Sequence, residues 1–235
     1  MGGLPEVRPG DDLAALLAAA VSPQSGDVLV VAHKVVSKAE GRLRELAAVE
    51  PGPRARELAA EHGKDPRVVQ IVLDETATLL RADHGVLICE THHGLICANA
   101  GVDQSNVPEG HAVLLPEEPD RSARELRARL PGRPAVVISD SFGRAWRLGQ
   151  VDVAIGAAGL VPLDDWRGRT DAHGRELRAT ALATADALAA AADLARLKAA
   201  GQPVVLARGL DHLVTEEDGP GAAALRRHPT IDLFR

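Results

Sequence analysis

The chain has 235 residues, 46% hydrophobic and 26% charged, so it can bury a sizeable core and is not disordered, collagen-like or disulfide-rich. Its net charge is −6 at pH 7 and it has no large basic patch, which argues against non-specific nucleic-acid binding. It has no recognisable signal peptide and no apolar run of the roughly 18 residues that span a membrane, so we expect a cytoplasmic protein.

Apolar periodicity and turn residues divide the chain into helices and strands. A helix is predicted where an apolar stripe follows Asp or Pro, and a strand where a short β-branched run lies between turns. The predicted helices are one that follows Asp12 and ends before Ser22, then Pro53–His62, Pro66–Leu80, Arg121–Arg133 and Glu176–Ala200. The predicted strands are Asp27–Val31, Gly85–Glu90, Gly94–Ala98, His111–Leu115, Pro134–Ser139, Val151–Leu160 (broken by glycines) and Pro203–Ala207.

Hairpin-like strand pairs and strands separated by helices both occur along the chain. This mixture favours an α+β fold, with mixed and antiparallel sheets and helices, over a regular doubly wound sheet. We predict that residues 1–210 form one domain, which can comprise two subdomains, and that residues 211–235 form a C-terminal tail, which is turn-rich and peripheral after Asp218.

The sequence lacks both common phosphate-binding loops. It has no G-x-x-x-x-G-K-[ST] motif and no G-x-G-x-x-G motif after a strand. Any binding of phosphate must therefore use scattered acidic metal ligands and basic side chains at the ends of strands. Three segments offer such side chains.

The first segment is Val30–Arg42, VVAHKVVSKAEGR, in which a hydrophobic strand runs into Lys34, Lys38 and Glu40. Ordinary solvated loop residues are one interpretation of this pattern. In the other interpretation, Lys38 is a point cation for a phosphate group.

The second segment is Ala98–Asn106, ANAGVDQSN. It crowds the short oxygen-bearing side chains of Asp103, Ser105 and Asn106 into four residues. Hard divalent cations prefer such oxygens as ligands. The same residue types also build turns, so a plain turn is the alternative interpretation.

The third segment is Val136–Gly149, an apolar strand that we expect to end at Asp140 and Ser141, followed by Arg144. A carboxylate and a hydroxyl at a strand end can hold Mg²⁺ or Mn²⁺ while an arginine neutralises phosphate oxygens. Helix capping by Asp140 is the alternative, but the glycine and aromatic residues that follow make a poor helix start.

Together the three segments resemble the coenzyme F420:gamma-glutamyl ligase family, through the motifs VSKAEGR, ANAGVDQSN and SDSFGRAWRLGQVD. The similarity runs from Leu4 to Leu210, which is nearly the whole chain. It implies a fold of two intertwined subdomains and a GTP-dependent ligase that adds L-glutamate to coenzyme F420-0 and then extends a gamma-linked glutamate tail. An acyl-phosphate intermediate, with GDP and phosphate as products, is part of the same implication.

The resemblance also implies roles for particular residues. Nucleotide contacts are expected from Leu4, Pro5, Glu6, Val7, His33, Lys38 and Asn106, and metal ligation from Asp103, Asp140 and Ser141. Lys38 and Arg144 are the expected catalytic residues, because they can complement charge on the transferred phosphate. Mg²⁺ or Mn²⁺ at two sites, K⁺ as a further cation, and a homodimer with the site near the subunit interface are also implied.

Two positions depart from the family pattern. His33 stands where relatives often have Ser or Thr, so an imidazole would replace a hydroxyl contact. Leu194–Gln202, LARLKAAGQ, has no acidic residue where many relatives carry a Met-Gly-Glu or Met-Gly-Gln loop, so we expect a second metal site to be incomplete or filled by water. The same stretch resembles the actinobacterial form, which is fused to a flavin-dependent domain that has no counterpart in this sequence; we predict no FMN binding.

Three other functions compete with the ligase. Cys89, Cys97, His92 and His93 could form a zinc site, although their spacing is unusual for one. A metal-dependent phosphohydrolase would use Asp103 and Asp140 to activate water. A non-catalytic protein that binds a nucleotide or a deazaflavin would form no product. The ligase and the phosphohydrolase both require Asp103 and Asp140 to line one site.

Overall fold

The computed structural model describes residues 4–196 and 201–232. Within those residues the helices are α1 (Leu13–Val21), α2 (His33–Ala39), α3 (Pro53–His62), α4 (Pro66–Asp74), α5 (Pro119–Arg129) and α6 (Thr184–Ala195). The strands are β1 (Val28–Ala32), β2 (Leu43–Glu45), β3 (Thr76–Asp83), β4 (Val86–Thr91), β5 (Ile96–Ala98), β6 (His111–Val113), β7 (Ala135–Arg144), β8 (Arg147–Ala158), β9 (Leu163–Asp165), β10 (Ala181–Ala183) and β11 (Val204–Ala207). Helices with mixed and antiparallel sheets confirm the predicted α+β class.

The central sheet has the strand order β11–β1–β7–β8. β1 and β7 run parallel, and the two outer pairs are antiparallel. The apolar runs of β1 and of the first half of β7 are buried, as is usual for strands covered on both faces. Their pairing places Ala32 opposite Ser139, so the next residues, His33 and Asp140, emerge at the same edge of the sheet.

Helices cover both faces of the central sheet. α1 and α5 pack on one face, in a core that includes Leu17 and Ile138. α6 packs on the other face, in a core that includes Val137 and Leu188. The side chains of β1 alternate between these two cores, because successive residues of a strand point to opposite faces.

A third core is formed by residues between 46 and 114, where α3 and α4 pack with the sheet β3–β4–β5. This part of the chain lies in sequence between α2 and α5. β2 and β6, which lie near its two ends, pair with each other and bring Leu43 opposite Val113. The loop that carries Asp103 is thereby held beside α2. None of the described helices is long and apolar enough to cross a membrane.

Two predicted helices are shorter than expected. The helix that begins at Pro66 ends at Asp74, and Leu80 lies in β3, because the residues that follow the helix pair with β4. The helix expected from Glu176 begins at Thr184, because Ala181–Ala183 pairs with β9. Its predicted end, residues 197–200, lies outside the described residues.

The β7–β8 hairpin is longer than predicted. β7 continues to Arg144, so Asp140 and Ser141 lie inside a strand and not at its end. Gly156 does not break β8 as expected. It allows α5 to approach closely, because a Cβ atom at this position would lie 2.4 Å from the carbonyl oxygen of Pro119.

Two segments are more ordered or more closely packed than predicted. The residues after β1 form α2, which begins directly at His33, so the loop interpretation is wrong. Ala222, in the predicted peripheral tail, is only 4% exposed. Its backbone N–H donates to Oδ1 of Asp120 at 2.7 Å, which ties this part of the tail to α5.

Candidate active site

A cavity of about 940 Å³ lies at the edge of the central sheet where β1 and β7 end their parallel pairing. Its lining includes every predicted nucleotide contact and every predicted metal ligand. These residues are Leu4, Pro5, Glu6, Val7, His33, Lys38, Asn106, Asp103, Asp140 and Ser141. Asp103 and Asp140 therefore line the same cavity, and their role as metal ligands stays a prediction.

Lys38 is buried where α2 meets the N-terminal segment. Its Nζ lies 2.6 Å from Oε1 of Glu6, whose side chain is 69% exposed. Leu4 and Val7, on either side of this glutamate, pack against the core and hold the segment in place. A buried ammonium whose carboxylate partner is open to solvent can exchange that partner for a phosphate oxygen.

His33 and Asp140 meet because β1 and β7 are parallel neighbours. Nε2 of His33 lies 3.2 Å from Oδ1 of Asp140, and its Nδ1 lies 3.4 Å from Oγ of Ser37 on α2. The imidazole is only 2% exposed. Its position therefore suits a side chain that orients Asp140 better than one that contacts a nucleotide through an exposed ring.

Asp103 is held at the cavity by backbone and side-chain bonds. Its N–H and C=O pair with Val113, at 3.0 and 2.8 Å. Nζ of Lys34 donates to Oδ2 of Asp103 at 2.5 Å and to Oγ of Ser105 at 2.6 Å. Burial raises the pKa of Asp103, but the hydrogen bonds from Lys34 and Ser105 together outweigh it and leave that pKa below its usual value.

A buried network lies behind Ser141. Both oxygens of Asp152 accept hydrogen bonds, Oδ1 from Ser141 at 2.6 Å and Oδ2 from Ser139 at 2.8 Å. Nη1 of Arg196 also donates to Oδ2 of Asp152, at 2.7 Å, and Nη2 donates to the carbonyl oxygen of Val30 at 2.8 Å. Ser139, Ser141, Asp152 and Arg196 all line the cavity.

The sequence prediction assigned no role to Lys34, Asp152 or Arg196. Lys34 lies in the first segment, Val30–Arg42, and Asp152 is the last residue of the motif SDSFGRAWRLGQVD. The pairing of β7 with β8, which puts Asp152 opposite Ser141, would have singled out Asp152. Arg196 enters from the end of α6, and no local pattern connects it with the motifs.

The residues that line the cavity fall within a region that matches a known family. The model of the family described as F420-0:Gamma-glutamyl ligase matches residues 3–209, which is most of the chain. The chain belongs to this family.

Relatives of the F420-0:gamma-glutamyl ligase family align with nearly the full chain. The coenzyme F420:L-glutamate ligase of Methanopyrus kandleri is 48% identical over 252 residues, which cover 100% of this chain and 100% of that protein. The protein of the same name from Methanothermobacter thermautotrophicus is 43% identical over 243 residues, covering 99% and 96%. The one from Haloarcula marismortui is 42% identical over 244 residues, covering 99% and 93%. The resemblance seen in the sequence is thereby confirmed, and the chain is a member of a family of enzymes.

Arg144 is the predicted site residue of this ligase-family chain that does not line the cavity. It lies near the tip of the β7–β8 hairpin, where its Nη2 donates to the carbonyl oxygen of Leu148 at 2.8 Å. The structure thus brings the other predicted residues together and leaves Arg144 outside, so its catalytic role stays a prediction.

The oxygen-bearing side chains of the cavity are of the type that hard divalent cations prefer as ligands. The ammonium of Lys34 already sits between oxygens of Asp103 and Ser105, so these oxygens are placed to hold positive charge. Across residues 4–196 and 201–232, no group of three or more His, Cys, Asp and Glu is arranged to hold an ion alone. Two carboxylates and a hydroxyl, completed by phosphate oxygens and water, are a ligand set typical of Mg²⁺.

The zinc alternative finds no support in the described residues. Cys89 and Cys97 are buried opposite each other on β4 and β5, and burial raises the pKa of the Cys97 thiol to about 12. The rings of His92 and His93 hydrogen-bond to backbone carbonyls and face a separate cavity of about 330 Å³. Zinc requires deprotonated thiols and ligands gathered at one point.

Proposed function

We propose that the chain is a GTP-dependent ligase that joins L-glutamate to coenzyme F420-0 and then extends a gamma-linked glutamate tail. Family membership and the names of the relatives support the reaction type. The observation that carries the proposal is that Asp103 and Asp140 line the same cavity as Lys38 and the N-terminal segment. Side chains that can bind a metal ion and a side chain that can bind phosphate therefore line the same cavity.

We assign the triphosphate of GTP to the basic face of α2. Lys34 and Lys38 each hold a carboxylate, Asp103 and Glu6 respectively, that lies at the open side of the cavity. Phosphate oxygens can replace these carboxylates as acceptors, because the lysine ammonium is a compact charge on a flexible stem. Asn106 and the segment that contains Glu6 are the remaining nucleotide contacts in the proposal.

Asp103, Asp140 and Ser141 are the residues that would hold Mg²⁺ or Mn²⁺. Such an ion, when bound, neutralises phosphate oxygens and favours attack on the γ-phosphorus. His33 fixes the orientation of Asp140 for this purpose. The proposal also includes K⁺ as a further bound cation. Turnover should therefore be faster in KCl than in NaCl of equal ionic strength.

The reaction consists of two displacements. An oxygen of the carboxylate of coenzyme F420-0 attacks the γ-phosphorus of GTP, the bond to the β–γ bridging oxygen breaks, and GDP leaves. The amine of L-glutamate then attacks the acyl carbon, phosphate leaves with the former carboxylate oxygen, and the amine proton passes to solvent. No protein nucleophile takes part, so binding geometry and charge neutralisation supply the rate enhancement.

We also propose that the chain acts as a homodimer in the cytoplasm, where GTP is available and cysteines stay reduced. Trp146 and Leu148, at the tip of the β7–β8 hairpin, are 86% and 98% exposed. Large apolar side chains exposed side by side are typical of a contact surface. Sedimentation velocity should show a dimer, and a monomer at micromolar concentration would contradict this part of the proposal.

Mass spectrometry of the products tests the ligase function. Coenzyme F420-0 incubated with L-glutamate, GTP and Mn²⁺ should gain one or more glutamyl residues, and formation of more than one GDP per active site should require glutamate. Release of phosphate without glutamate would favour the phosphohydrolase, and binding without any product would favour the non-catalytic protein.

Two aspartate variants provide the comparison for this assay. Asp140→Asn should abolish glutamyl addition, because it removes a carboxylate from the cavity. Asp165→Asn is the matched control, because Asp165 pairs with Arg167 and does not line the cavity. Full activity of Asp140→Asn would remove Asp140 from the mechanism.

A further inference from the structure

Arg196 is a fixed cation on the buried side of the cavity. Its side chain is only 10% exposed. Nη1 donates to Asp152 at 2.7 Å and to Ser139 at 3.0 Å, and Nη2 donates to the carbonyl oxygen of Val30 at 2.8 Å. Because both terminal nitrogens are bonded, and one of them to the backbone of a central strand, the guanidinium has a single position.

The acceptors of Arg196 are the kinds of ligand that a divalent ion would use. They are a carboxylate, a hydroxyl and a backbone carbonyl, all hard oxygens. Ser141 donates to the other oxygen of Asp152, so this carboxylate is fully engaged. A metal ion at Asp152 would have to displace a charge-assisted hydrogen bond, the stronger kind of hydrogen bond. The guanidinium and a metal ion at this carboxylate therefore exclude each other.

The ammonium of Lys34, which pairs with Asp103, is more exposed than the guanidinium of Arg196. Lys34 is 22% exposed and Asp103 is 42% exposed, so the lysine can swing into solvent when an ion arrives. Arg196 is only 10% exposed, pairs with a carboxylate that is only 6% exposed, and is also bonded to the backbone carbonyl of Val30. The two aspartates thus differ in whether their present cation can leave.

We propose that Arg196 is a resident cation that takes the place of a second divalent ion, so that the cavity binds one Mg²⁺ or Mn²⁺, at Asp103 and Asp140. The sequence around it agrees, because residues 194–202 include Arg196 and no carboxylate, and the charge of the nearby Asp193, which also lines the cavity, favours the protonated guanidinium. The inference rests on the proposed function for the first ion, and it replaces the two metal sites predicted from the sequence. Arg196 is a positioning residue, which acts by holding Asp152 and through it the hydroxyl of Ser141.

Equilibrium dialysis against Mn²⁺ tests the number of ions. The chain is saturated with a non-hydrolysable GTP analogue, and a chamber without protein measures the Mn²⁺ held by free nucleotide. The wild-type chain should bind one Mn²⁺. Arg196→Gln releases the oxygens of Asp152, so this variant should bind two, and Arg196→Lys, which restores a positive charge, should again bind one.

Arg42→Gln is the matched control, because Arg42 also joins a carboxylate, that of Glu75, to a backbone carbonyl, and it does not line the cavity. It should bind one Mn²⁺. Two ions on the wild-type chain would overturn the inference, as would one ion on an Arg196→Gln variant with a native circular dichroism spectrum. If that variant does not fold, the number of Mn²⁺ ions bound by the wild-type chain decides alone. No ion on the wild-type chain would instead overturn the proposed metal-dependent function.

Discussion

Replacement of Lys38 by methionine tests whether its buried ammonium binds the nucleotide. The side chain is 8% exposed, and its Nζ lies 2.6 Å from Oε1 of Glu6. Methionine keeps the apolar stem and removes the charge. A hydrogen bond from a charged group contributes about 1.5–3 kcal/mol. Since about 1.4 kcal/mol corresponds to a tenfold change in Kd, the Kd for GTP should rise about 10- to 150-fold.

The same substitution should change the stability of the chain little. The carboxylate of Glu6 is 69% exposed and stays solvated when the lysine is removed. An ion pair with an exposed partner contributes about 0–1 kcal/mol, which for a chain of this size corresponds to a Tm shift of about 4 °C at most. Isothermal titration calorimetry with a non-hydrolysable GTP analogue measures Kd, and scanning calorimetry measures Tm.

Arg54→Met is the matched control for Lys38→Met. Arg54 forms an exposed pair with Glu57 on α3 and does not line the cavity. Its removal should leave the Kd for GTP unchanged. An unchanged Kd in Lys38→Met, or equal weakening in both variants, would refute the assignment of Lys38 to a phosphate.

Three further predictions concern the packing and the charges of the site. Gly156→Ala should lower the free energy of unfolding by about 1–3 kcal/mol, because the added methyl group overpacks against the Pro119 carbonyl. Gly143→Ala, with open space around the added methyl group, should not lower it, and equal urea midpoints for the two variants would contradict this. Cys97, whose thiol pKa is raised by burial to about 12, should not react with a thiol reagent at pH 8 before unfolding, and labelling at the rate of an exposed thiol would show that it is accessible. The lowered pKa of Asp103 contributes stability above its unfolded pKa of about 3.9 that is lost as pH falls through the folded value. Lys34→Met should therefore differ most from wild type in urea unfolding at neutral pH, and a difference that does not shrink as the pH is lowered would refute the pairing.

The residues of the cavity could be predicted because the polar side chains of each motif are only a few residues apart in the sequence. Asp103 and Asn106 are three residues apart, and Asp140 is next to Ser141. The apolar run before Asp140 also predicted the strand that carries it. The motifs are brought together by the parallel pairing of β1 with β7 and by the pairing of Asp103 with Val113, which the pattern of a single strand does not specify. The placement of Asp103 and Asp140 in one cavity was therefore expected only from the family resemblance.

Other elements had no local signal. α2 begins at His33 without a capping hydrogen bond from the side chain of Ala32, so the usual sign of a helix start is missing. β3 forms where the helical periodicity after Pro66 still continued, because pairing with β4 outweighs local preference. The contact between Arg196 and Asp152 depends on the packing of α6 against the β7–β8 hairpin, and neither residue indicates the other in sequence.

Oxygen-isotope transfer tests most directly whether the cavity couples cleavage of GTP to ligation of glutamate. Coenzyme F420-0 with ¹⁸O in both oxygens of its reacting carboxylate is incubated with the chain, GTP, L-glutamate and Mn²⁺. Mass spectrometry then measures the ¹⁸O content of the phosphate and of the amide product. One ¹⁸O should appear in the phosphate and one should remain in the amide. Glutamyl product accompanied by unlabelled phosphate would contradict the acyl-phosphate route, and no glutamyl product would contradict the ligase itself.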